Sequence, residues 1–316
     1  MLSYITKTIT IIMAILLNGA VLFGLTLVII TKIALENRIY VETMLPNLTI
    51  PSFLFYTAII SAIWFIPLYL MGKFEIGISG ILYLNGYKKQ TAILEAQSKP
   101  HLRSLCQQAG LDADKFNLLV HFDKKVNAFA IGKNNISINT GLLKSDQKII
   151  KGILAHELGH LVSGHGSFNY ILMCLCLPIM FVQWIIGTVF QTLNIFSKIP
   201  LIGFVFNLLS LVWMLLTFCF TLIFNDTLAF TNKIYYRNCE HAADEFAVKI
   251  GCGAELHSFF QEQLEKHGDI GFWDSMFSTH PSTYKRLMNV DKNIKKYASN
   301  NCENTVPLNE IIFQNR

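Results

Sequence analysis

His156 and His160 stand four residues apart in Gly152-Ile-Leu-Ala-His-Glu-Leu-Gly-His-Leu-Val-Ser-Gly-His165, with Glu157 directly after the first of them. On a helix that spacing separates the two imidazoles by about 6 Å along the axis and roughly 40° around it. Both can therefore face one metal ion. Glu157 lies about 100° from His156 and only about 60° from His160, so its carboxylate flanks the same point and can reach a water there. Two ligands beside a general base is the chemistry of the His-Glu-x-x-His arrangement, and zinc is the ion that suits it. An ordinary helix can also carry two polar histidines, so the rest of the chain must supply what is missing.

A catalytic zinc takes three protein ligands and keeps one position open for water. His165 follows the second histidine by five residues, whereas the pattern His-Glu-x-x-His-x-x-Gly-x-x-His requires six, a place held here by Gly166. On a continuous helix His165 is rotated well off the face of His156 and His160, and it reads as a helix-end or supporting residue. Glu240 is the better third ligand. It lies on a predicted helix from Thr231 to Ile250, with Asp244 one turn later on the same face. Asp244 would then accept a hydrogen bond from one ligating imidazole. The plain alternative for this pair is a solvated acidic face.

The elements that must position these groups are partly readable. Ile149 and Ile153 continue the face that carries the histidines, so that face enters a core, and Ser145 is the expected N-cap. Before it, Asn117–Phe122, Val126–Ile131 and Ile136–Thr140 read as strands, the last by its alternation. Gly132 to Asn135 is a hairpin signal, and a small antiparallel sheet is expected. Ala92 to Ala109 reads as a helix with Leu94, Leu102 and Leu105 inward and Gly110 closing it.

Composition places this chemistry. Of 316 residues, 52% are hydrophobic and only 15% charged, well below the usual quarter. Between Ser167 and Asn232 only Lys198 and Asp226 are formally charged. Four apolar runs have the length of membrane spans: Ile9–Ile30, Ser52–Met71, Phe168–Phe190 and Ile199–Phe224. Most Lys and Arg fall in the two polar blocks, Lys73–Gly166 and Asn225–Arg316. An even number of spans puts both blocks on one side, which the positive-inside bias makes cytoplasmic. The net charge of +5 is then a topology signal, and without a basic cluster interleaved with stacking aromatics it does not indicate nucleic acid. Seven cysteines, an odd number without Cys-x-x-Cys, argue against a disulfide framework or a cysteine zinc site.

Several spaced motifs now stand in order: two spans, Val-Asn127-Ala128-Phe129-Ala130, Thr140-Gly141-Leu142-Leu143, His156-Glu157-Leu-Gly-His160, two further spans, Arg-Asn-Cys-Glu240-His-Ala-Ala-Asp244, and Thr-His280-Pro. From about Met1 to about Met288 the chain resembles the HtpX-type membrane metalloproteases, relatives of the CAAX-prenyl-protease group. The resemblance implies that Glu240 completes a site for one zinc ion per chain. It also implies that Asn127 to Ala130 form an edge strand pairing with extended substrate, and that His280 and Arg286 stabilise the oxyanion or its surroundings. Gly-His165-Gly where that family is acidic, and the aromatics Phe272, Trp273 and Phe277, are departures that leave substrate preference open.

The expected fold class is mainly α, a multi-pass membrane protein with four transmembrane helices and a zincin-like α+β catalytic domain. The expected division is 1–72 for two transmembrane helices and 73–167 for the first catalytic part. Residues 168–225 hold two further helices, and 226–316 the second catalytic part. The expected function is zinc-dependent endopeptidase action on misfolded or unassembled membrane proteins, from a cytoplasmic membrane with the catalytic domain facing the cytoplasm. Partners are then the bilayer and unfolded protein, with no nucleic acid; oligomeric state is not encoded legibly. Two alternatives stand beside it: a non-catalytic, zinc-stabilised scaffold or chaperone-like protein, and a prenyl-protein processing protease. The latter group is expected to have seven spans.

Overall fold

The computed structural model describes residues 7–16, 50–84, 86–89, 92–196, 203–220, 227–269 and 281–300, with a few isolated positions besides. They form two compact units: Met1–Phe74 with Ile171–Asn232, and Glu75–Tyr170 with Lys233–Arg316.

The first unit is helical. Its described elements are α1 (Lys7–Leu16), α2 (Ile50–Lys73), the larger part of α6 (His165–Phe196) and α7 (Gly203–Phe220). Pro178 sits inside α6 and lacks an N–H to donate. One residue on, the Ile179 N–H donates to the buried Asn18 Oδ1 at 3.1 Å, and Asn18 Nδ2 donates to the Ala14 carbonyl at 2.7 Å. The polar interruption in an apolar helix is thus satisfied from a neighbouring one. Phe181, Trp184, Phe204 and Leu208 turn outward and stay exposed.

Among the described residues, α6 with its 32 residues is the one unbroken helix long and apolar enough to cross a membrane. The expected count of four is therefore not what the structure establishes. The run at Ile9–Ile30 falls half outside the described residues, and that at Ser52–Met71 lies within α2, whose side chains are described in part. The run at Ile199–Phe224 appears as α7, described over the 18 residues Gly203–Phe220; positions 200–202 and 221–224 lie outside the described residues.

The second unit holds α3 (Ile78–Leu84), α4 (Ala92–Gln108), α5 (Gln147–Val162), α8 (Thr227–Lys249, from Lys233), α9 (Gly253–His267) and α10 (Thr283–Asn300). Its strands are β1 (Lys88–Lys89), β2 (Asn117–His121), β3 (Ala128–Ile131) and β4 (Asn135–Asn139), in the order β1-β2-β4-β3. The sheet is mixed rather than antiparallel. β3 and β4 form the expected antiparallel hairpin, but β4 then returns between β3 and β2 and runs parallel to β2. Register supplies the reason: Ile136 and Ile138 oppose Leu118 and Val120 on one side and Ala130 and Ala128 on the other. That face is buried against the helices, and a one-residue slip would put Ser137 and Asn139 in place of Ile136 and Ile138.

Ile149, Ile150, Ile153, Leu154, Ala155, Leu158 and Leu161 are all buried, so α5 is covered on nearly every side and is the centre of this core. Leu102 and Leu105 of α4, as expected, and Leu256 and Phe260 of α9 close around it. Each fully buried Leu or Ile stabilises the fold by about 1.5–3 kcal/mol relative to exposure.

Two local expectations change. The N-cap of α5 is Asp146, whose side chain accepts from the Lys148 N–H at 2.8 Å, and not Ser145. Ser145 is used otherwise, its N–H closing the short 3₁₀ turn Leu142–Lys144. The metal helix also stops before His165. Gly164 adopts φ +73°, which only glycine takes up readily, and His165 opens the next helix.

Candidate metal centre

His156 and His160 lie on α5 one turn apart, with their Nε2 atoms 3.1 Å from each other. Glu240 on α8 completes the group, with Oε2 3.5 Å from His156 Nε2 and Oε1 3.4 Å from His160 Nε2. Candidate ligand atoms of all three lie within 4.8 Å of one another, and His156 and Glu240 are buried. Two imidazoles and one carboxylate, converging with an open side, are the donor set of a catalytic zinc site. The residues fit the ion.

The helix contact that makes this possible runs through the motif itself. A Cβ placed on Gly159 would stand 3.0 Å from the Ala243 Cα and 3.1 Å from its carbonyl oxygen. Backbones of α5 and α8 touch there, and Glu240, one turn before Ala243, reaches the histidines only because they do. Gly159→Val is expected to cost about 1–3 kcal/mol by overpacking and to lower zinc retention on dialysis. Wild-type zinc content in that variant would refute the assignment of the contact.

Behind the ligands lies a charged network. Asp244 is fully buried, and its Oδ1 is 2.8 Å from His156 Nδ1. Arg286 of α10 donates through Nε to Asp244 Oδ2 at 2.9 Å and through Nη2 to Oδ1 at 2.6 Å. Its Nη1 is 2.8 Å from Glu240 Oε2, and its guanidinium stacks over Phe260 at 4.5 Å. Burial pushes the Asp244 carboxyl up, but Arg286 and His156 outweigh it and hold the group below its ordinary range. Burial and the Arg286 charge oppose a proton on His156, yet Asp244 and Glu240 prevail and raise its imidazole to about 10. A cation at Nε2 takes the place that proton would otherwise occupy.

Glu157 is buried beside the ligands and lines the same cavity. Burial raises its carboxyl above the ordinary range, Glu240 adds to this, and positive charge on His156 and His160 pulls it back. A carboxylate tuned upward is suited to accept and return a proton.

The cavity holds about 570 Å³. Asn127, Ala128, Phe129 and Ala130 all line it, and β3 is an outer strand whose described strand partner is β4. The structure thus brings Glu157, His156, His160, Glu240, Asp244, Arg286 and the Asn127–Ala130 segment into one unit. Arg286, expected at the oxyanion or its surroundings, grips Asp244 and Glu240. His280 lies outside the described residues.

Sequence reasoning read His165 as a helix-end or supporting residue and not a ligand; its Nδ1 is 3.2 Å from His160 Nδ1 and it lines the cavity. The available signal was Gly164, which marks where the helix breaks. Apolar lining from Leu256 and Phe259 of α9 was missed. No local pattern connects α9 to this place.

Residues 93–294 match the family model described as Peptidase family M48. Among solved structures, the chain is similar to "Crystal Structure of S. mikatae Ste24p", at 18% identity and a TM-score of 0.46, over 86% of this chain. The match covers 65% of that protein, so the chain spans just under two thirds of its length. No curated protein matches the chain in sequence.

Proposed function

The chain belongs to peptidase family M48, and on that premise we propose that it is a membrane-bound, zinc-dependent endopeptidase. Its substrates on this reading are misfolded or unassembled membrane proteins. The observation that carries the proposal is the convergence of His156, His160 and Glu240 with Glu157 on a cavity walled by the outer strand β3. Zinc held there would supply a Lewis acid that polarises a peptide carbonyl and makes water acidic.

The remaining work falls to the chain. Glu157 accepts a proton from the attacking water and returns it to the leaving amine. Asp244 holds His156 through Nδ1 so that Nε2 faces the ligand position, and Arg286 holds Asp244 and Glu240 in place. An outer strand offers backbone N–H and C=O groups to any extended segment, so pairing favours unfolded chain over a particular sequence. Exposed apolar residues on α6 and α7, such as Trp184 and Phe204, support a lipid-facing setting. The clustering of basic residues in the polar blocks supports a cytoplasmic catalytic face.

The test is zinc content together with casein digestion by the full-length protein in detergent. About one zinc per chain is expected from the ligand count, with cleavage abolished by a chelator and restored by zinc. Retained zinc without proteolysis of any unfolded protein would favour the scaffold reading instead. Cleavage confined to prenylated C-terminal peptides would favour prenyl-protein processing.

A further inference from the structure

Each ligating imidazole has two ring nitrogens, and what holds the rear nitrogen decides where the front one points. Nε2 faces the metal position in both His156 and His160. His156 is held from behind by Asp244, 2.8 Å from its Nδ1. For His160 the corresponding atom is His165 Nδ1, 3.2 Å from His160 Nδ1.

We propose that His165 is the positioning residue of the second ligand: it accepts a hydrogen bond from His160 Nδ1–H and so orients Nε2 toward zinc. The inference rests on the zinc-site reading above. A ligating His160 is neutral, with a lone pair at Nε2 and its proton at Nδ1. His165 must then accept at Nδ1 and carry its own proton at Nε2.

The backbone is arranged for this contact. Had α5 continued, His165 would have been turned away from His160. Instead α5 ends at Val162, Gly164 takes φ +73°, and its carbonyl accepts from the Phe168 N–H at 3.1 Å as the next helix begins. His165 is thereby the first residue of α6 and returns to face the helix just left. The residue is 8% exposed, and its ring stands edge-on to His160 with centroids 5.4 Å apart and meets Tyr235 edge-on at 6.1 Å. The two ligands are therefore supported unequally, His156 by a carboxylate and His160 by a neutral ring.

The deciding variants are His165→Asn and His165→Leu. Asparagine places its amide oxygen where Nδ1 stands and keeps the acceptor, whereas leucine has the same shape without one. Full-length protein in detergent is stripped of zinc and titrated with zinc against a chelator of known affinity, independently of any activity. H165N is expected to bind zinc nearly as tightly as wild type, and H165L about 10- to 100-fold more weakly. Should H165L not fold when metal-free, His165→Gln carries the amide one carbon too far and is expected to show the same weakening. Equal, wild-type affinity in N and L overturns the proposal. Equal weakening in both overturns it as well, since the ring itself would then be a ligand or a packing element. Failure of the wild type to bind zinc overturns the metal-site reading and this inference with it.

Discussion

Glu157→Gln is expected to slow casein cleavage by about 10²–10⁴-fold while leaving about one zinc per chain. Glutamine keeps the size of the side chain and its hydrogen-bonding capacity but cannot take up a proton at neutral pH. His156, His160 and Glu240 contribute the candidate ligand atoms, and Glu157 is not among them. The variant therefore separates two roles that the five-residue motif places side by side. Burial already raises the Glu157 carboxyl, so replacing it with a neutral amide removes no favourable charge from the fold. Melting temperature should stay at or above the wild-type value. Cleavage at the wild-type rate by zinc-loaded E157Q would eliminate this residue as the base.

The second large effect is expected on stability. Arg286→Ala should destabilise the metal-free protein by about 3–5 kcal/mol, the usual consequence of removing one partner from a buried ion pair. The Arg286 side chain is 12% exposed, and it stands between Asp244 at 0% and Glu240 at 4%. Without it two buried carboxylates one turn apart lose the guanidinium they share and keep the imidazoles of His156 and His160 beside them. Zinc at the ligand position would return positive charge to Glu240, so the loss should be smaller when metal is present. Thermal melts with and without chelator measure this directly: the gap between the two should be wider in R286A than in wild type. Arg286→Lys keeps the charge but not the planar fork that meets both Asp244 oxygens, and should fall between. An R286A protein that melts with wild type under chelation would show that the network carries no stability.

His165 bears on how such sites are found from sequence. A rotation of roughly 100° per residue placed it off the ligand face, and for an unbroken helix that geometry is sound. The helix is broken at Gly164, where φ is positive, and His165 begins the next one. Asp146 instructs similarly. Ser145 and Asp146 are both good caps by type, and the choice between them was made by the 3₁₀ turn Leu142–Lys144, which engages the Ser145 N–H first.

Residue type and spacing by themselves determined the metal motif, the pairing of Glu240 with Asp244, the helix from Ala92, the β3–β4 hairpin and the membership they point to. All are local: each depends on a period of 3.6 or 2 along a few residues, and side chains one turn apart meet whatever the rest of the molecule does. The tertiary structure alone decided the rest. It set β4 beside β2 in parallel, because the pairing of Ile136 and Ile138 with Leu118 and Val120 is a matter of shared burial that alternation cannot express. It brought Arg286 onto Asp244 and Glu240 from 42 residues beyond Asp244. It let α8 touch α5 at Gly159, where the absence of a side chain matters only once Ala243 arrives. It also turned His165 back onto His160. The His-Glu-x-x-His motif was written in one helix, and its alignment with Glu240 on another depends on contacts that exist only after the chain has packed.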